Sequence, residues 1–252
     1  MTSTAFNAAL GLSLSLIAIT AGQALYHKLP SDEASAKISL QPSVADVCQS
    51  RRRNILFVGD SITNSAGASG FAQGFPMQTL MVLGPSKIND FAHGSKISAH
   101  SGKRSDQIQP LVQDLIASGD FGTIVFEEGV NDAWQRRSVT EYAASLSAQI
   151  KLARESGAHV VVFTIPPTNA PAKADAAQDQ ALAGMNDWLR ETVPLIGDLI
   201  DIHQRLAIAP SDRMDTAYNS GDGVHPNAVG HRIMAVALAS TLSPQIEGYC
   251  RS

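Results

Sequence analysis

The sequence is sparing with the residue types that mark several large functional classes. Its 252 residues hold two cysteines, Cys48 and Cys250, and neither lies near a histidine or another cysteine at metal-ligand spacing. That argues against a zinc site, and nothing else in the chain calls for a metal or an organic cofactor. An excess of one charge is missing too: 19 Lys and Arg stand against 23 Asp and Glu, a net charge of −4, which is too balanced for a nucleic-acid partner. Arg51-Arg52-Arg53 is the only basic cluster and reads as a solvated approach to the first strand rather than a processing or anion-binding site. No segment repeats at a period of about 20–50 residues, and no tract is of low complexity. A G-x-S-x-G elbow is also absent, which excludes an ordinary α/β-hydrolase.

What remains is a chain with 44% hydrophobic residues, enough for one full-sized domain with a real core. Its N-terminus differs in kind. Ala8 to Leu25 carries no charge, and Leu10 to Thr20 has the length of a signal-peptide apolar region, followed by small residues at Ala21, Gly22 and Ala24. The stretch before it lacks the usual Lys or Arg. Residues 1–29 are therefore expected to be a cleaved signal, with an uncleaved membrane anchor or a non-exported amphipathic leader as alternatives. Residues 30–47 read as a polar linker and 48–252 as the domain. Export implies an oxidising compartment, where two lone cysteines pair. Cys48 precedes the first strand and Cys250 follows the last helix, so both are expected at the amino ends of the strands, bridged to each other.

Asn54 to Val58 is an apolar, β-prone run broken by Gly59, with Asp60-Ser61 at its end. Ile62 to Gly70 is a loop of small residues. A helix is expected over 75–83, with Pro76 in its first turn, and a second strand near 87–92. A helix over 107–118, a strand over 123–127, and a helix from the capping box Ser138-Val-Thr-Glu141 to Ser156 follow. Ala158 to Ile165 reads as a strand, 176–192 as a helix, 199–202 as a short strand, and 228–242 as the last helix. Five alternations of strand and helix imply a parallel sheet covered on both faces, with its ligand site at the carboxyl ends of the strands. Ser61, Asn131 and the loop carrying Asp222 and His225 all fall on that edge.

A serine hydroxyl is a poor nucleophile without a base within hydrogen-bond reach. His225 can serve, and Asp222, three residues earlier, can hold its imidazole in the right tautomer. Acyl transfer also needs donors aimed at the oxyanion, for which the candidates are the N–H groups of Ser61 and Gly102 and the Asn131 amide. Taken singly each of these motifs is an ordinary turn or cap; their joint placement on one edge is what carries the reading. The other histidines (His93, His100, His159, His203, His231) receive no role. Glu127-Glu128, at a strand end, reads as a solvated rim or as support behind the site, the rim being preferred.

Gly-Asp-Ser-Ile at 59–62, Gly102, Gly-Val-Asn-Asp at 129–132 and Asp-Gly-Val-His-Pro at 222–226 resemble, in order and spacing, the four sequence blocks of the SGNH (GDSL-type) hydrolase family. Ile62 stands where the family usually has Leu. Gly94 is an alternative second block, but His100 to Ile108 resembles the segment of acetyl-xylan-esterase-like members, which favours Gly102. The resemblance implies a three-layer, flavodoxin-like α/β fold with five parallel strands. It implies Ser61 as nucleophile, Asp222 and His225 as its partners, and Ser61, Gly102 and Asn131 as oxyanion donors. The expected activity is hydrolysis of small acyl esters, acetyl foremost, on an extracytoplasmic carbohydrate. An acyltransferase with the same triad is the alternative; a lysophospholipase or thioesterase and a non-catalytic glycan-binding module are further ones. The expected partner is a small acyl-ester or acylated carbohydrate substrate, with no nucleic acid and membrane contact only through the N-terminal segment.

Overall fold

The computed structural model describes residues 53–84, 94–169 and 176–249, all within one compact unit, Gln41–Ser252. The expected signal, the linker and both cysteines lie outside the described residues, as does the segment 87–92 in which a second strand was expected.

Five strands form the sheet: β1 (Ile55–Gly59), β2 (Lys96–Ala99), β3 (Thr123–Glu127), β4 (His159–Phe163) and β5 (Asp198–Ile200). All pair in parallel, in the order β2-β1-β3-β4-β5. The central strands β1 and β3 are buried along their whole length, as strands covered on both faces must be. The second strand of the sheet is therefore Lys96–Ala99, nearer the second motif than expected. It is an edge strand, partly exposed, with two polar residues in four, so its sequence carries little of the apolar signal that marks its neighbours.

Parallel pairing requires crossover connections, and the helices that make them pack in two groups. α1 (Phe75–Leu83) packs against the final helix α7 (Ala228–Tyr249). On the other face, α2 (Ser105–Ala117) packs on α4 (Val139–Glu155), and α4 on α5 (Ala176–Thr192). The capping box at Ser138 forms as read, with Glu141 N–H donating to Ser138 Oγ and Ser138 N–H to the Glu141 carboxylate. Two short helices were not expected. α3 (Val130–Trp134) starts immediately after β3, and α6 (Ile202–Leu206) immediately after β5, where 199–202 had read as strand alone. A small antiparallel pair, β6 (Ala207–Ile208) and β7 (Arg213–Met214), leads into the loop that carries Asp222 and His225.

Gly59 is required at the end of β1 because the chains close in there. A Cβ at that position would lie 2.1 Å from Glu127 O and 2.2 Å from Thr63 Oγ1, inside any tolerable contact. That approach lets the chain turn out of β1 and set Asp60 and Ser61 on the carboxyl edge of the sheet.

Candidate active site

Ser61, His225 and Asp222 form one hydrogen-bonded chain. Ser61 Oγ is 2.8 Å from His225 Nε2, and His225 Nδ1 is 2.6 Å from Asp222 Oδ2. The other Asp222 oxygen accepts the N–H groups of Val224 and His225, at 2.8 and 2.9 Å. This tight turn is why the spacing of three residues works: the carboxylate caps its own loop and the histidine ring at once. Partial burial alone would push the Asp222 carboxyl up, but the bonds from the His225 backbone and ring and from Val224 outweigh it and hold the group down at about 2. An ionised Asp222 fixes a hydrogen on Nδ1 and leaves the Nε2 lone pair facing Ser61, the tautomer that can accept the hydroxyl proton.

The other expected oxyanion donors follow the two strands that flank β1, Gly102 after β2 and Asn131 after β3. Gly102 lies in the loop between β2 and α2 at φ 77°, a left-handed conformation that glycine adopts without strain. Among the described residues, neither the Ser61 N–H nor the Gly102 N–H has a hydrogen-bond partner. Asn131, in the first turn of α3, is committed: its Nδ2 donates to Asp60 Oδ2 at 3.2 Å and to the Lys103 carbonyl at 3.1 Å. Asp60 is thus the link between nucleophile and amide, and its other oxygen accepts the Ile62 N–H at 3.0 Å. For Asn131 to donate to an oxyanion, the Lys103 carbonyl must give up its share.

With this geometry in place, the comparisons are decisive for the family. The model of the GDSL-like lipase/acylhydrolase family matches residues 57–233, most of the chain. The chain belongs to that family. Among solved structures, a GDSL-like lipase from Bacteroides thetaiotaomicron superposes with a TM-score of 0.63 at 15% identity, covering 77% of this chain and 90% of that one. A lipase/acylhydrolase from Enterococcus faecalis gives 0.56 at 16% identity, over 77% and 96% of the two chains. An acetyl xylan esterase gives 0.56 at 19% identity, over 75% and 99%. These similarities carry the fold; the family match carries ester hydrolysis as the class of activity. No curated protein matches the sequence significantly.

Behind the serine of this GDSL acylhydrolase lies a group of buried acids that the sequence did not reveal. Glu127 and Glu128 are 2% and 3% exposed, so the solvated-rim reading is corrected. Glu127 accepts the Thr63 hydroxyl at 2.9 Å, and Glu128 accepts Gln149 Nε2 at 3.2 Å. Asp132 takes both the N–H and the hydroxyl of Ser105, at 2.9 and 2.7 Å, and Arg137 at 3.0 Å. Burial pushes all of these carboxyls up: Glu127 and Glu128 well above the usual range, Asp132 less far, and Asp60 to about 7. Among the described residues the remaining oxygens of Glu128 and Gln149 are buried without a partner, an arrangement that suits a Glu128 carrying its proton.

His231 was also missed. It is fully buried, accepts the Phe75 N–H at Nδ1 (3.2 Å), lies 2.9 Å from Ala66 O through Nε2, and stacks on the Phe75 ring. One side chain of α7 therefore ties the start of α1 to the loop after Ser61. An isolated histidine in a helix carries no such signal in sequence. Among the described residues no group of three His, Cys, Asp or Glu side chains is placed to hold a metal ion.

Proposed function

We propose that this chain is a serine esterase that removes short acyl groups, acetyl foremost, from an extracytoplasmic carbohydrate. The observation that carries the proposal is the bonded chain Ser61 Oγ–His225 Nε2 and His225 Nδ1–Asp222 Oδ2. As Ser61 Oγ attacks the ester carbonyl, His225 Nε2 takes its proton, and Asp222 stabilises the imidazolium. The oxyanion meets the N–H groups of Ser61 and Gly102, and the Asn131 amide as it leaves Lys103 O. His225 then gives the proton to the departing alcohol, and a water activated by the same histidine releases the acid and restores Ser61.

A short acyl group is favoured by the loop after the serine, residues 63–75, which is small and polar apart from Phe71 and Phe75; Phe75 is buried, so the exposed Phe71 is the one large apolar side chain this loop offers a longer chain. Acetyl on a sugar is favoured by the segment His100 to Ile108 and by the likeness to an acetyl xylan esterase. Export is favoured by the apolar run Ala8 to Leu25.

The test is a p-nitrophenyl ester series from acetyl to octanoyl, without added metal. Turnover should fall steeply with chain length, and Ser61→Ala should remove at least about 10³-fold of kcat/KM on acetyl. A preference for octanoyl would contradict the short-acyl reading, and full activity in Ser61→Ala would contradict the nucleophile.

A further inference from the structure

One wall of the loop bearing His225 is shared with a cleft that the hydrolytic chemistry does not use. Asn169 N–H donates to Gly223 O at 2.6 Å, directly between Asp222 and His225. Its neighbour Thr168 lines a cleft of about 670 Å³ between α5, the start of α6 and the β6–β7 turn. That volume lies in the range of small-molecule sites, roughly 300–1,000 Å³.

We propose that this cleft is a subsite for one or more residues of a neutral glycan. Three observations carry it. First, His203 is only 8% exposed, lines the cleft, and is fixed from behind: its Nδ1 lies 3.1 Å from Ile165 O. Asn186 Nδ2 lies at the same 3.1 Å from that Nδ1, so the ring's contacts with the protein all fall on Nδ1, and Nε2 is left to the cleft as acceptor or donor according to the tautomer. Among the described residues nothing bonds that Nε2, and a ligand hydroxyl, which both donates and accepts, can meet it in either tautomer. The Asn186 beneath it, 1% exposed, is pinned by two bonds to the Ile165 backbone, at 2.7 and 3.0 Å, so the floor is preorganised.

Second, both arginines of the lining are held in ion pairs, and the lining as a whole is acidic, Arg190 and Arg213 standing against Asp179, Asp187 and Asp212. Arg213 meets Asp179 at 2.8 Å, and Arg190 meets Asp187 at 3.2 Å and Asp201 at 2.8 Å. Guanidinium and carboxylate edges set side by side offer donors and acceptors to adjacent hydroxyls. With both arginines paired and carboxylates in excess, the cleft does not attract a phosphate or a uronate. Third, Arg213 also bonds Thr168 O at 3.3 Å, so the wall that would hold the sugar is continuous with the strap that touches the His225 loop. The relevance of a glycan rests on the esterase reading above; the binding itself does not require Ser61.

Titration calorimetry on the full chain tests this with unacetylated xylohexaose, cellohexaose, chitotetraose and an oligogalacturonate. At least one neutral sugar should bind to the wild type and equally to Ser61→Ala. Its Kd should rise at least about tenfold in Arg213→Ala and in His203→Phe. Should His203→Phe fail to fold, Ala183→Trp fills the cleft from an exposed helix position and should have the same effect. The ratio of KM for the acetylated form of that sugar to KM for p-nitrophenyl acetate should rise by the same factor. No neutral sugar bound, affinity unchanged by these substitutions, or a preference for the oligogalacturonate would overturn the proposal. If no ester at all were hydrolysed, the serine-esterase reading would fail while the calorimetry still decided the cleft.

Discussion

Asp222 and Asn131 act at different moments of the proposed reaction, and single substitutions separate them. In Asp222→Asn an oxygen can still accept the Val224 and His225 N–H groups, but the amide nitrogen cannot accept the Nδ1 hydrogen. The loop should keep its shape while the histidine takes the wrong tautomer, so kcat should fall by roughly 10²–10⁴ with little loss of melting temperature. Asn131→Ala should lower kcat by roughly 10²–10³ and leave KM nearly unchanged, because its amide serves the transition state. A raised KM with normal kcat would make Asn131 a ground-state binder instead. These residues were legible in the sequence because their chemistry and spacing are local: Asp222 and His225 share one turn, and Asn131 directly follows a strand. Asp60 was legible only as part of a motif. Its bond to Asn131, 71 residues away, depends on the sheet bringing β1 and β3 side by side.

At the scale of elements, continuity of pattern decided what could be read. β3 is an unbroken apolar and β-branched run between a glycine and two acids, and α5 a long helical stretch; both occur with the bounds expected. β2 has no such run, and α3 is too short to show a period. Long-range ties between elements were hidden for the same reason. His231 holds α7, α1 and the loop after Ser61 together, and replacing it by Phe takes the partner from the buried Phe75 N–H and the partly buried Ala66 O. Each orphaned group costs roughly 1–3 kcal/mol, so the melting temperature of His231→Phe should drop by several degrees. An unchanged melting temperature would show that water replaces both bonds. Burial, with the nearby His225 charge acting in the same direction, holds the His231 ring neutral, so this contribution is present above the ordinary histidine range and is lost as pH falls below it.

Across the whole molecule, the buried acids give stability an unusual pH dependence. Asp60, Glu127, Glu128 and Asp132 all titrate higher in the folded chain than in the unfolded one. As pH rises from 3.8 towards about 7, the folded form therefore binds more protons than the unfolded form, and its stability falls. Asp222 works the other way between about 2 and 3.8, below that range, and His231 works the other way within it, one imidazole against four carboxyls. Calorimetry should give a higher melting temperature near pH 5 than near pH 8, and Glu128→Gln should shrink the difference. A melting temperature that rose from pH 5 to 8 would contradict the burial of uncompensated carboxyls. The charges looked solvent-facing in the sequence because the side chains that cover them, Thr63 and Gln149, sit 64 and 21 residues away.

The central claim is that Ser61 becomes covalently acylated, and intact-protein and peptide mass spectrometry tests it most directly. Protein quenched in acid during turnover of p-nitrophenyl acetate, or treated with a fluorophosphonate, should carry a single adduct, on the peptide containing Ser61. Ser61→Ala should carry none, and His225→Ala should acquire it at least about 10³-fold more slowly. An adduct on another residue, or steady ester hydrolysis by a Ser61→Ala protein that never becomes labelled, would contradict the account.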